Sequence, residues 1–191
     1  MAIQNIGVIG AGQMGTGIAH VCALAGYDVK LVDVDQARVD NGLAVINGNM
    51  DRQVGRGRIK PDEKVIALSR IHPALDYSAL GDCDLVIEAA TENEAVKREI
   101  FKKLCPSLKA SALVASNTSS ISITRLASVT DRPGKFMGMH FMNPVPVMQL
   151  VELIRGIATD EPTYRTLLGG VEKLGKTAAS AEDFPAFIVN R

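Results

Sequence analysis

The six residues GAGQMG, at positions 10–15, constrain this chain more than any other feature. An apolar run at 3–9 precedes them, too short to cross a bilayer. After them come Ile18, Val21, Cys22 and Ala25 at spacings of three and four, the face of a helix that Gly26 can stop. A second apolar run, 29–32, ends at Asp33. Strand, tight turn, helix and strand in this length make one βαβ unit. A GxGxxG is weak evidence by itself; between a buried strand and a helix it acquires a physical meaning. Gly10 permits the turn, Gly12 lets the backbone approach a pyrophosphate, and Gly15 allows close helix–sheet packing. The N–H groups around Ala11, Gln13 and Met14 and the helix dipole then receive phosphate charge. Asp33 suits ribose hydroxyls and repels a 2′-phosphate. Val34, Asp35 and Gln36 supply no arginine, Arg38 being the nearest basic residue, so NAD is expected over NADP. On the turn alone FAD stays open.

Further along, a helix is expected from about 36 to 50. RQVGRGRIKPDEK reads as a surface connection or a helical pair. Residues 84–88, 113–115, 136–140 and 150–154 are strand candidates, with a helix over 94–104. This alternation predicts an α/β, doubly wound, mostly parallel sheet. A chain of 191 residues is short for eight βα units. Its apolar close, FPAFIVNR, predicts an end at a domain junction rather than a polar tail.

Lys plus Arg and Asp plus Glu each number 21, with three Tyr, five Phe and no Trp, so neither a basic footprint nor base-stacking platforms point to nucleic acid. Neither a signal peptide nor a membrane span is evident, and Cys22, Cys83 and Cys105 lack CxxC spacing. Reduced, buried thiols in a cytoplasmic protein without membrane contacts are the expectation.

Three histidines limit the search for chemistry. His20 lies in the first helix and reads as structural or partly exposed; His72, before Pro73, reads as a turn residue. His140 ends a strand, where an open parallel sheet borders its ligand crevice; alone it reads equally as packing or catalysis. Glu152 tips that balance, because an ionised carboxylate inside LVELI is costly unless paired. If its strand neighbours the one ending at His140, the carboxylate can fix the imidazole tautomer for general-base work; otherwise it is an edge residue facing solvent. In SNTSS (116–120), Ser119 or Ser120 either contacts a ligand oxygen or caps the next helix. Without a GxSxG elbow SNTSS is not a nucleophilic serine signature; neither HExxH nor a paired CxxC supports metal catalysis, and no Walker GxxxxGK is present.

Taken together, GAGQMGTGIA, DLVIEAATENEAVK, SNTSS, GMHFMNPVPVMQLVE and FIVNR resemble the 3-hydroxyacyl-CoA dehydrogenase family over essentially the whole chain. The resemblance implies that residues 1–191 form one NAD-binding, Rossmann-like domain carrying a His–Glu pair, with the family's C-terminal helical domain absent. It further implies reversible oxidation of an L-3-hydroxyacyl-CoA, with 3-hydroxybutyryl-CoA as the nearest substrate, in fatty acid and butanoate metabolism. His140 and Glu152 match the catalytic pair, Ser119 and Asn190 the polar residues at the substrate oxygen, and Glu92, Lys97, Ser119 and Asn143 positions near the nicotinamide. Arg56 falls where the family often has a lysine near the CoA phosphates, and its planar fork is not equivalent to an ammonium. Ala186 replaces a usual glycine. A homodimer is implied for the full-length family member. Alternatives are another β-hydroxy acid dehydrogenase with a lysine base, a nucleotide-binding interaction fragment without turnover, and a domain of a multifunctional fatty-acid oxidation protein.

Overall fold

The computed structural model describes residues 3–184 and 187–189. Their core is an eight-stranded sheet of order β3-β2-β1-β4-β5-β6-β7-β8. β1 (Asn5–Ile9), β2 (Asp28–Val32), β3 (Ile71–Ala74), β4 (Leu85–Glu88), β5 (Leu113–Ser116) and β6 (Phe136–Phe141) run parallel. β7 (Leu150–Arg155) is antiparallel to β6, and β8 (Thr177–Glu182) is parallel to β7. The mostly parallel α/β sheet expected from the sequence is therefore present.

Among the described residues six α-helices cover it: α1 (Gln13–Leu24), α2 (Gln36–Gly55), α3 (Pro61–Ser69), α4 (Glu94–Leu104), α5 (Ile123–Ala127) and α6 (Glu161–Lys173). The basic stretch after position 51 is a helical pair, α2 running on to Gly55 and α3 opening on Pro61. Glu63 accepts the Lys60 N–H at 2.6 Å, satisfying one donor at that start. β4 shows why central strands read as continuous apolar runs. Its Leu85 and Ile87 join the core layer that contains Ile18 and Ile46, while Val86 joins the opposite layer with Phe101 and Leu126.

Two readings are corrected here. His72 and Pro73 lie in β3, not in a turn; β3 is an edge strand bonded only to β2, a position where proline's missing N–H is tolerated. His20 is fully buried, with Nε2 3.1 Å from Gln53 Oε1, so it is structural and in no part exposed. All three cysteines are free and buried, and burial pushes the Cys22 and Cys83 thiols up to about 12. Among the described residues no helix is long and apolar enough to cross a membrane.

The order of connections reverses between β1 and β4. In an open α/β sheet the crevice beyond the strand ends at such a reversal is where ligands bind.

Candidate active site

The glycine turn sits at that reversal. Gly10 has φ +101°, and a Cβ there would stand 2.7 Å from the Ala89 carbonyl oxygen in the loop after β4. At Gly15 a Cβ would lie 1.8 Å from the Gly10 carbonyl oxygen, so α1 approaches the turn as closely as backbone allows. Gly12 differs: a Cβ would meet nothing within 4 Å. That position presents bare backbone to the crevice, with the first-turn N–H groups of α1 beside it and no side chain capping them.

Asp33, at the end of β2, accepts the Ala11 N–H on Oδ2 at 2.9 Å and so braces the turn from within. A cleft of about 320 Å³ opens there, lined by Gly10, Asp33, Arg38, Tyr77, Ile100 and Lys103 among others. A second, of about 310 Å³, is lined by Gly12, Gln13, Met14, Glu92, Lys97 and Ser119. Ala90 and Thr91 border both, so they are two arms of one crevice beyond the strand ends. Bare backbone at the middle and a carboxylate in one arm fit a dinucleotide with a free ribose. Arg38 does border the Asp33 arm, with its Nε 3.9 Å from Asp35 Oδ2.

The second arm rests on a buried ion pair absent from the sequence reading. Lys97 donates to both oxygens of Glu88, at 2.8 and 2.6 Å, with the two side chains 1% and 0% exposed. Glu88 also accepts Ser116 Oγ and the Ala90 N–H, each at 2.8 Å. On its other side the Lys97 ammonium faces Glu92, whose Oε2 stands 4.0 Å away. The signal was available: LVIE ends an apolar strand on an acid, the same cost that singled out Glu152. Glu92 gathers the SNTSS loop, its Oε1 accepting Thr118 Oγ1 at 2.7 Å and the Ser119 N–H at 2.9 Å. Ser119 is half-buried on the crevice wall. Neither it nor Ser120 caps α5; Ser122 does, accepting the Arg125 N–H at 3.3 Å, because the helix starts later than the loop suggested.

His140 and Glu152 face each other on one rung of the β6–β7 ladder. Paired residues on an antiparallel rung share a face, and Nδ1 of the imidazole lies 2.7 Å from Glu152 Oε2. His140 is 6% exposed and Glu152 fully buried, so the edge-strand alternative for Glu152 falls away. The carboxylate requires a donor, which places the proton on Nδ1 and leaves a lone pair on Nε2. Glu152 Oε1 accepts the N–H groups of Ile188 and Val189, at 3.0 and 2.8 Å. Asn117, on the crevice wall, accepts the Phe141 N–H at 2.8 Å and ties the imidazole's strand to that wall.

Asn143 is exposed in the loop following β6. Arg56 is also exposed and lies apart from the pair, with Arg52, Arg58, Pro144 and Val147 around a cleft of about 140 Å³. Asn190 and Ala186 lie outside the described residues. Among the described residues no three His, Cys, Asp or Glu side chains group to hold a metal ion.

Known proteins resemble this chain over nearly its whole length. Residues 5–184 match the family model described as 3-hydroxyacyl-CoA dehydrogenase, NAD binding domain. The chain is 62% identical over 189 residues to a 3-hydroxybutyryl-CoA dehydrogenase of Bradyrhizobium diazoefficiens, covering 99% of this chain and 64% of that protein. It is 41% identical to the fatty acid oxidation complex subunit alpha of Acinetobacter baumannii, of which it spans 26%. The crystal structure of (S)-3-hydroxybutyryl-CoA dehydrogenase from Ralstonia eutropha superposes with a TM-score of 0.98 at 44% identity, covering 100% of this chain and 67% of that one.

Proposed function

The chain belongs to the 3-hydroxyacyl-CoA dehydrogenase family and carries its NAD-binding domain, and from that premise we propose that it serves NAD-dependent oxidation of a short-chain L-3-hydroxyacyl-CoA to the 3-ketoacyl-CoA, with His140 as general base. That two of the relatives named above are 3-hydroxybutyryl-CoA dehydrogenases supports 3-hydroxybutyryl-CoA as the substrate. The observation that carries the reading is the 2.7 Å contact between His140 Nδ1 and Glu152, on a strand that Asn117 ties to the wall of the second arm.

His140 Nε2 takes the proton of the substrate 3-hydroxyl, and Glu152 stabilises the imidazolium that results. Bound NAD supplies the acceptor for the hydride leaving C3. Gly10, Gly12 and Gly15 with the start of α1 hold its pyrophosphate, and Asp33 its adenosine ribose. Glu92, Lys97 and Asn143 serve the nicotinamide half, Glu92 and Lys97 from the wall of the second arm. Ser119 and Asn190 orient the substrate oxygen, and Arg56 meets the CoA phosphates. In the reducing direction His140 returns the proton.

NADH absorbance decides the reading. The full protein, given NAD and L-3-hydroxybutyryl-CoA at neutral and mildly alkaline pH, is expected to turn over. Absence of turnover at both would remove it.

A further inference from the structure

Beyond β8, Asp183 meets the start of α5, and residues 187–189 meet Glu152 and His140. Asp183 accepts three hydrogen bonds: Ser122 Oγ at 2.7 Å and the Thr124 N–H at 2.8 Å on Oδ2, and the Ile123 N–H at 2.9 Å on Oδ1. These donors are the cap and first residues of α5, directly after the loop that carries Ser119. Burial pushes the Asp183 carboxyl up, and the bonds from Ser122, Thr124 and Ile123 outweigh it and hold the group below the usual carboxylate range.

Phe187 follows in a turn closed by its N–H on the Phe184 carbonyl oxygen at 3.0 Å. Its φ is +50°, the left-handed region that an L-residue with a side chain rarely adopts. Its ring is nonetheless 2% exposed in the core layer with Ile123, Leu126 and Ile154, and its centroid stands 6.2 Å from that of the His140 imidazole. The next two N–H groups are those bound by Glu152 Oε1. Such backbone strain persists only where the surroundings over-determine the conformation. Here a carboxylate holds the segment on one side of the ring and a second carboxylate holds it on the other.

We infer that Asp183 is a positioning residue of this site: by locking the terminal turn to the Ser119-bearing loop, it keeps the N–H groups of Ile188 and Val189 in register on Glu152, and thereby the imidazole of His140 in place. The inference rests on the dehydrogenase reading given above. It gives Glu152 two tasks, one oxygen orienting the imidazole and the other anchoring the turn. Without the second anchor the carboxylate is free to rotate about its last bond, and the first task suffers.

Asp183→Asn in the full protein is the test. The replacement has the same shape, but an amide oxygen turned to Ile123 leaves its NH2 facing the Thr124 N–H, donor against donor. Three quantities are compared with wild type: kcat with NAD and L-3-hydroxybutyryl-CoA, NAD affinity by titration, and backbone hydrogen exchange at residues 188 and 189. The expected result is a kcat lower by about 10- to 100-fold, as misplacement of a reacting group produces, with NAD affinity unchanged. Exchange at 188 and 189 should accelerate although Asp183 bonds neither. Unchanged exchange there, or unchanged kcat, overturns the inference. If the variant does not fold, Ser122→Ala removes one of the three bonds and is read for the same rise in exchange at 188 and 189; no rise overturns the inference. Lack of turnover in the wild type would instead strike the dehydrogenase reading, and the exchange comparison would still decide the latch.

Discussion

Glu88 and Lys97 form a two-pronged ion pair, 2.8 and 2.6 Å, at the floor of the crevice and sealed from solvent. β4 delivers the acid and the first turns of α4 deliver the base, so the pair also pins that helix to the sheet. Lys97→Met leaves a buried carboxylate with only Ser116 and the Ala90 N–H for company. Breaking one side of such a pair costs about 3–5 kcal/mol, and a loss of that size is expected in chemical denaturation of the protein without cofactor. A loss below about 1 kcal/mol would place the pair among ordinary surface bridges.

Gly12 and Gly15 should separate binding from folding. A methyl at Gly12 meets no protein atom within 4 Å, so Gly12→Ala is expected to keep its melting temperature and lose NAD affinity, because the methyl enters the space a pyrophosphate would occupy. Gly15→Ala drives a Cβ to 1.8 Å from the Gly10 carbonyl oxygen and should unfold or severely destabilise the protein. Thermal melts and NAD titrations of the two variants check this. Equal stability loss in both would refute the division.

His20 predicts an acid-side loss of stability. Burial holds its pKa below 6.5, against the raising effect of the Gln53 hydrogen bond, and Lys176 lowers it further. The unfolded chain therefore binds a proton near pH 6.5 that the folded protein refuses. This contribution to stability is complete above that pH and declines as the pH falls toward the depressed folded value. His20→Gln removes the titration while keeping a donor for Gln53. Melting temperatures between pH 7.5 and 5, on the order of one His titration range, should fall less in the variant than in wild type. Parallel curves would show that His20 does not carry the effect.

Which features the sequence discloses follows from the distance over which each is encoded. Gly10, Gly12, Gly15 and Asp33 lie within one βαβ unit, where spacing dictates geometry. Glu152 announces itself by its cost in an apolar strand; its partner still required the β6–β7 register, which the sequence raised only as a condition. Glu88 carries the same warning, although LVIE reads first as a plain apolar strand. β3, α6 and β8 escaped for separate reasons. A histidine and a proline in IHPA mask an edge strand, and TAASAE pairs with β7 through backbone while its small side chains carry little apolar pattern. The α6 stretch, EPTYRTLLGGVEK, buries only Thr163, Leu167 and Val171, a sparse stripe at fourfold spacing. Asp183 lies about sixty positions from the residues it binds, and no local pattern joins them.

Glu152 offers the most direct access to the base chemistry. In Glu152→Gln the amide oxygen is drawn to the N–H groups of Ile188 and Val189, which turns the NH2 toward His140. Nδ1 must then accept, the proton moves to Nε2, and that tautomer cannot take a proton from substrate. The measurement is kcat of this variant in the full protein, followed by NADH absorbance, alongside NAD titration. A fall of about 10²- to 10⁴-fold with NAD binding intact is expected for a base held in the wrong tautomer. A kcat equal to wild type would contradict the assignment of His140 and Glu152 as the proton-transfer pair.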